Sequence, residues 1–219
     1  MSVLCAVVIC AMLMTGCGKE VPKETDAQKY VQAVLDLMCT GEYDQSVSFS
    51  DIEDGTELEL RDQMIDEMLS SISEESGLDE AVQERFRDFI VKAFSCCKYT
   101  VKDAVETDDN GNTGFDVTVS IKPLMLFSGT SAALETEMEN LTSDMDKLMS
   151  ISEEEMSQLI FDTLFNVLDG NLENPKYGKS KTVIVHYGLL DEENNLYGLS
   201  EEDGSILGEN LFSMEGLED

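Results

Sequence analysis

A single histidine, His186, and no tryptophan occur in a chain that carries 46 acidic but only 14 basic side chains, a formal net charge of -32. Each shortage removes a class of chemistry. One imidazole cannot build a zinc site that needs two or more, and a Ser-His-Asp or Cys-His arrangement would have to use His186. With no tryptophan and 7% aromatic residues, there is little from which to build a carbohydrate-stacking platform. The deficit of Lys and Arg sets up a field that repels phosphate backbones and anionic headgroups, which argues against nucleic acid as a partner.

Glycines and cysteines are equally uninformative as motifs. Gly18, Gly41, Gly55 and Gly77 stand singly, so there is no glycine-rich phosphate loop. Cys96-Cys97 lack the C-x-x-C spacing of a thiol oxidoreductase. Only three prolines occur and no Pro- or Gly-rich linker divides the chain, which predicts one domain over residues 26–214. No catalytic residue, metal ligand set or cofactor motif emerges.

What is present begins at the N-terminus. Val3 to Met14 is an unbroken run of twelve apolar residues, and the first charged side chain is Lys19. As a helix the run spans about 18 Å against a hydrocarbon core of about 30 Å, too short for a permanent span and suited to the apolar region of an export signal. Met14-Thr15-Gly16-Cys17 follows it and resembles the lipobox of bacterial lipoproteins. That resemblance implies cleavage between Gly16 and Cys17, removal of residues 1–16, and a diacylglycerol on the Cys17 thiol. Two acyl chains, such as palmitate, anchor stably where one binds only reversibly. The expected product is an acidic ectodomain on the outer face of the cell membrane, joined through a tether over residues 17–25.

Of six cysteines, Cys5 and Cys10 fall in the leader and Cys17 in the motif, leaving Cys39, Cys96 and Cys97. They read as buried small apolar residues; one disulfide from Cys39 to either neighbour of the pair is open, since adjacent cysteines bridge each other only with strain.

Periodicity predicts an α+β fold. Thr25-x-x-Gln28 reads as a capping box opening a helix through Tyr30, Val34 and Met38 that stops at Gly41. Glu42 to Phe49 reads as a short helical turn. Thr56-x-x-Glu59 opens a second helix with Leu60, Met64, Ile65, Met68, Leu69 and Ile72 on one side. A third places Val82, Phe86, Phe89, Ile90 and Ala93 inward. The period then falls to two: Tyr99, Val101 and Val105 alternate with Thr100, Lys102 and Ala104, and beyond Asn110-Gly111 the residues Phe115, Val117, Val119 and Ile121 alternate with polar ones. This is a β-hairpin over about 97–122 with one wet face.

A helical hairpin is expected over about 131–169. Its first helix carries Leu134, Met138, Leu141, Met145 and Leu148 at heptad spacing. Its second is opened by the box Ser152-x-x-Glu155, runs through Ile160, Leu164 and Leu168, and ends at Gly170. Packing of the two within one chain predicts a monomer. KTVIVHYGLL, residues 181–190, is apolar on both faces and reads as a central strand, with a partner at Leu196 to Leu199. A short helix follows to Phe212, and residues 215–219 form a frayed acidic tail.

This order, with Tyr30-Val31-Gln32-Ala33-Val34-Leu35 followed by Gly41-Glu42-Tyr43-Asp44, resembles lipoproteins of unknown function from gut Firmicutes. The resemblance implies an ectodomain related to nuclear-transport-factor-2-like or cystatin-like folds, a curved antiparallel sheet with helices on its concave face. It brings no catalytic residue with it.

Three functions are then open. The first is a non-catalytic domain that binds a protein, peptide or envelope ligand. The second is a small-ligand carrier or enzyme with a pocket near His186 and Tyr187. The third is a low-affinity divalent-cation binder. "DDNGNTGFD", residues 108–116, supports the third only weakly, because an EF-hand loop begun at Asp108 has Thr113 where glycine is needed and Val119 where the closing glutamate belongs.

Overall fold

The computed structural model describes residues 16–17, 22–44, 46–47, 61–66, 69–70, 80–109, 111–143 and 150–215. The fold is α+β. Strands β1 (Gly16–Cys17), β2 (Lys98–Asp109), β3 (Asn112–Lys122), β4 (Lys181–Asp191) and β5 (Leu196–Leu199) form an antiparallel sheet in the order β1-β5-β4-β3-β2. The helices are α1 (Glu24–Thr40), α2 (Glu80–Ser95), α3 (Thr130–Ser143), α4 (Glu153–Glu173) and α5 (Glu201–Leu211), with residues 61–66 also helical. Contacts divide the chain into two compact units. One holds the chain up to Pro123 together with Lys179–Leu211; the other holds Leu124–Gly178 and the residues from Phe212 onward.

In the sheet unit, α1 starts two residues earlier than the box at Thr25 predicts. Its N-cap is Lys23, whose backbone N–H donates to the Asp26 carboxylate at 2.9 Å, so Asp26 rather than Gln28 closes the turn. Glu24 and Asp26 also suit the positive end of the helix dipole. The helix ends at Gly41 in the left-handed region, with its N–H on Leu37 O at 3.0 Å. Ala27, Tyr30, Val31, Val34, Leu35 and Met38 are all buried, a spread wider than one stripe, as expected of a helix covered on more than one side. The sheet covers one side; α2 packs on α1 as well, and Arg61 Nε donates to Met38 O at 3.2 Å.

Met64 and Ile65 are buried as expected, and Arg87 of α2 bridges Asp62 and Asp66 of the helical stretch 61–66. In α2 the inward residues are Phe89, Ile90 and Ala93, joined by Phe94, which the sequence reading left out, while Val82 and Phe86 are half-buried. The box at Thr56, together with Leu60, Met68 and Ile72, lies outside the described residues, or its side chains do.

The hairpin closes with Asp109 opposite Asn112. Gly111 takes φ 91°, open to glycine without strain, and its N–H is held by Asp108 Oδ1 at 2.8 Å. Asp108 pairs with Thr113, so the residues that looked calcium-like form a tight turn between two strands.

On β3 the alternation is as expected: Phe115, Val117, Val119 and Ile121 are each at most 1% exposed. On β2 it is not. Val101 opposes Val119 and Ala104 opposes Val117, so three steps on β2 match two on β3 and a β-bulge intervenes. The bulge inverts the parity beyond it, burying Ala104 and leaving Val105 61% exposed, the reverse of the expectation.

β4 is central in the sheet order, but it is not buried on both faces. Val185 and Tyr187 are buried, whereas Ile184 is 57% exposed. Only one face of the sheet is therefore covered at these positions.

The second unit is built on the helical hairpin, with α3 packed on α4. Ser152 caps α4 and accepts from Glu155 N–H, while the Glu155 carboxylate accepts from Ser152 N–H at 2.9 Å, as the box predicts. Two expectations fail. Met138 and Ile160 are exposed rather than in the seam, and α4 runs past Gly170 to Glu173. The extension has a cause: Leu172 lies four residues beyond Leu168 on the buried side, and Asn171 Nδ2 donates to Leu126 O and Ser128 O at 2.7 and 2.9 Å. Phe165 and Leu141 complete this core with Leu124 and Leu126. Met145 and Leu148 lie outside the described residues. Leu124 also bridges to Tyr177 and to Phe212. Among the described residues no helix is long and apolar enough to cross a membrane.

Candidate functional site

Gly16 and Cys17 sit at the sheet edge, opposite Tyr197 and Leu196 of β5.

His186 and Tyr187 take opposite sides of β4. Tyr187 is buried in an aromatic cluster, tilted against Tyr30 of α1 with ring centroids 5.0 Å apart and stacked on Tyr197 at 6.0 Å. Burial, with neighbouring negative or ionisable groups adding to it, pushes both the Tyr187 and Tyr30 hydroxyls far above the ordinary phenol range. They remain neutral core side chains.

His186 Nδ1 lies 3.0 Å from Asp116 Oδ1, its cross-strand neighbour, and its backbone N–H donates to Asp203 Oδ1 at 2.8 Å. Asp203 also bonds the Ser200 hydroxyl and holds the start of α5 at the point where β5 ends. His186 is thus a junction residue tying β4 to β3 and α5.

The imidazole also covers Gly114, where a Cβ would lie 2.7 Å from Cε1, 2.9 Å from Nε2 and 3.0 Å from Thr107 Oγ1. Gly114→Ala must therefore displace the ring from Asp116, at an expected cost of about 1 kcal/mol. Denaturant unfolding checks this: in a His186→Ala background most of the cost disappears. An equal cost in both backgrounds would show that the ring is not the obstacle.

Neither residue lines either of two cavities found among the described residues of the sheet unit. The smaller, about 270 Å³, is of mixed charge, with Asp36 and Asp44 beside Lys29 and Lys102. The larger, about 490 Å³, opens where α1 and α2 end and β2 begins. Among the described residues its charged lining is Lys98 and Lys122, with no carboxylate. The rest is hydroxyls and thiols: Thr40, Ser95, Thr100 and the Ser120–Ser180 pair, whose oxygens are 2.8 Å apart, then Tyr99, Cys39 and Cys97. In a chain with 46 acids and 14 bases, such a lining is a local reversal of the overall charge.

Lys98 and Lys122 are direct cross-strand partners. Like charges in that position cost roughly 0.2–1 kcal/mol relative to a neutral pair, so the pairing is one a purely structural sheet would avoid. Lysines near helix C-termini do complement the dipole, which offsets part of that cost for Lys98, three residues beyond α2.

Behind the lysines lies a hydrogen-bonded polar group. Tyr99 Oη donates to Asp36 Oδ1 at 2.7 Å, and Gln32 Nε2 donates to the same oxygen at 2.8 Å. Burial first, then the bond to Asp36, drives the Tyr99 hydroxyl far above its ordinary range. The Cys97 thiol donates to Ala93 O at 3.6 Å. The nearby Cys39 side chain first, then burial, pushes the Cys97 thiol strongly upward and keeps it protonated. Cys39, Cys96 and Cys97 are all free thiols.

This cavity escaped the sequence reading, because its parts come from residues 39–40, 95–100, 120–122 and 180 and meet only through the strand register.

No protein-family model and no curated protein matches the sequence. The fold is similar to the crystal structure, at 2.62 Å resolution, of the lipoprotein candidate ycdA from Bacillus subtilis subsp. subtilis str. 168. The TM-score is 0.54 at 18% identity, over 85% of this chain and 56% of that one. This chain spans a little over half the length of that protein, and the likeness is one of fold.

Proposed function

We propose that the protein is a lipoprotein held on the outer face of the cell membrane through diacylglycerol on Cys17, and that its sheet unit binds a small anion without catalysing a reaction. The apolar run before Met14-Thr15-Gly16-Cys17 supports the anchor, and a lipoprotein candidate of similar fold agrees with it. Cleavage before Cys17 would take away Gly16, half of β1, and leave β5 as the working edge of the sheet.

The observation that carries the ligand reading is the direct opposition of Lys98 and Lys122 on a cavity wall with no carboxylate among the described residues. An anion beside the two ammonium groups gains a charge-assisted contact from each, and the surrounding hydroxyls supply further donors. The fitting class is a carboxylate- or phosphate-bearing molecule, free or as a group on an envelope component. The acidic surface elsewhere repels such a ligand, which confines binding to this cavity.

Thermal unfolding with inorganic phosphate or succinate, against chloride at matched ionic strength, tests the reading. Stabilisation follows RT ln(1 + [L]/Kd), about 2.7 kcal/mol at a hundredfold excess over Kd. Lys122→Glu replaces the like pair by an opposite one, so it is expected to raise the unliganded stability by about 0.2–1 kcal/mol and to abolish the anion response. An equal response in the parent and in Lys122→Glu would overturn the site.

A further inference from the structure

Helix α4 carries two apolar stripes, and only one of them is buried. Phe165, Leu168 and Leu172, spaced by three and four, form the buried stripe. Met156, Ile160, Leu164 and Val167, spaced by four, four and three, form the other, roughly 120° further round a helix of 3.6 residues per turn. This second stripe is not closed over: Ile160 is 40% exposed and the other three are half-buried. On α3, which packs against α4, Met138 is 42% exposed although Leu141, one turn on, is buried.

The charge of the same hairpin has one sign. α3 holds three acidic residues and α4 six, neither holds a basic one, and between Lys122 and Lys176 the only basic residue is Lys147. Glu135 and Glu139, three residues before Met138 and one after it, are exposed on α3. We propose that the α3–α4 hairpin is a docking surface for a basic amphipathic helix of another polypeptide, which lays its apolar side over Met138 and the Ile160 stripe and turns its Lys and Arg side chains to the carboxylates.

This occupant answers both observations at once. A second copy of the hairpin would bring carboxylates against carboxylates, and an anionic membrane surface would do the same. A small polar cation would leave the apolar stripe in water. A segment apolar on one side and basic on the other covers the stripe and matches the charge, the mode in which a helix seats on a hydrophobic surface through anchors one turn apart. Met138 and Met156 suit such a surface, because an unbranched thioether side chain repacks around differing partners. The proposal concerns the helical unit alone and does not rest on the anion cavity, so Lys122→Glu is expected to leave this binding unchanged.

The test uses the full chain carrying Cys17→Ser and labelled peptides of about 18 residues, or about five helical turns. One is a Leu/Lys helix with leucine along one side, the second a scrambled peptide of the same composition, and the third a Leu/Glu helix of the first pattern. Fluorescence anisotropy is expected to show the Leu/Lys helix binding at least about tenfold more tightly than either control, and less tightly as ionic strength rises. Met138→Ser combined with Ile160→Ser should weaken that binding by about tenfold or more, since both side chains lose apolar area covered by the peptide. Val105→Ser combined with Ile184→Ser, at exposed apolar positions of the sheet unit, should change it by less than about twofold. A photoreactive leucine analogue in the peptide should label residues within 130–173. Equal binding of the scrambled peptide, an undiminished affinity in the Met138→Ser and Ile160→Ser variant, or labelling confined to the sheet unit would each overturn the proposal.

Discussion

Cys17→Ser is expected to move the protein from almost wholly membrane-bound to almost wholly soluble when it is expressed in a bacterium with a lipoprotein pathway and its cells are fractionated. The size of the effect follows from the anchor. Each buried CH₂ contributes about 0.8 kcal/mol, and two acyl chains of ordinary length together hold the protein effectively without exchange. Serine accepts no thioether-linked lipid, so that whole contribution is lost at once. No helix among the described residues offers a substitute span, and the net charge of -32 repels anionic headgroups. A variant that stayed in the membrane fraction after a high-salt wash would mean that something other than Cys17 holds it there.

The second large effect is in the core. Phe115→Ala is expected to cost about 3–5 kcal/mol in unfolding free energy, because it empties a site 1% exposed on the middle of β3, opposite Tyr187. Val105→Ala and Ile184→Ala, at positions 61% and 57% exposed, should change stability by about 0.5 kcal/mol or less. The contrast is sharp for Val105, since strict alternation along β2 places it inward. Chemical denaturation of the three variants decides: a cost for Val105→Ala close to that for Phe115→Ala would remove the bulge between Val101 and Ala104 from the account.

That bulge marks the limit of what the sequence carried. Period-two alternation found β3 because Phe115 to Ile121 repeats without a fault, and Asn110-Gly111 found the turn because its chemistry is local. Lys102-Asp103, where the register shifts, are two ordinary polar residues. Nothing near them in sequence signals an extra residue, since the shift exists only relative to β3. The box at Ser152 was legible for the same local reason as the turn. At α1 the choice between Thr25 and Lys23 as the cap depended on which carboxylate or amide reached back, and Asp26 did.

The candidate site was less legible still. His186 drew notice by being the only histidine, yet its partners Asp116, Asp203 and Gly114 make it a junction between elements. Lys98 and Lys122 are ordinary strand-end lysines until the hairpin register sets them face to face. Cys39 and Cys97 line one cavity only because α1 is laid against β2. The signal in each case is a tertiary one, created when strands and helices meet.

The central claim is that Cys17 becomes the first residue of a lipid-bearing chain, and intact mass spectrometry of the protein extracted from membranes with detergent tests it most directly. The account predicts a mass equal to residues 17–219 plus a diacylglycerol, with no peptide from residues 1–16. A chain that retains those residues with an unmodified Cys17 thiol would contradict it.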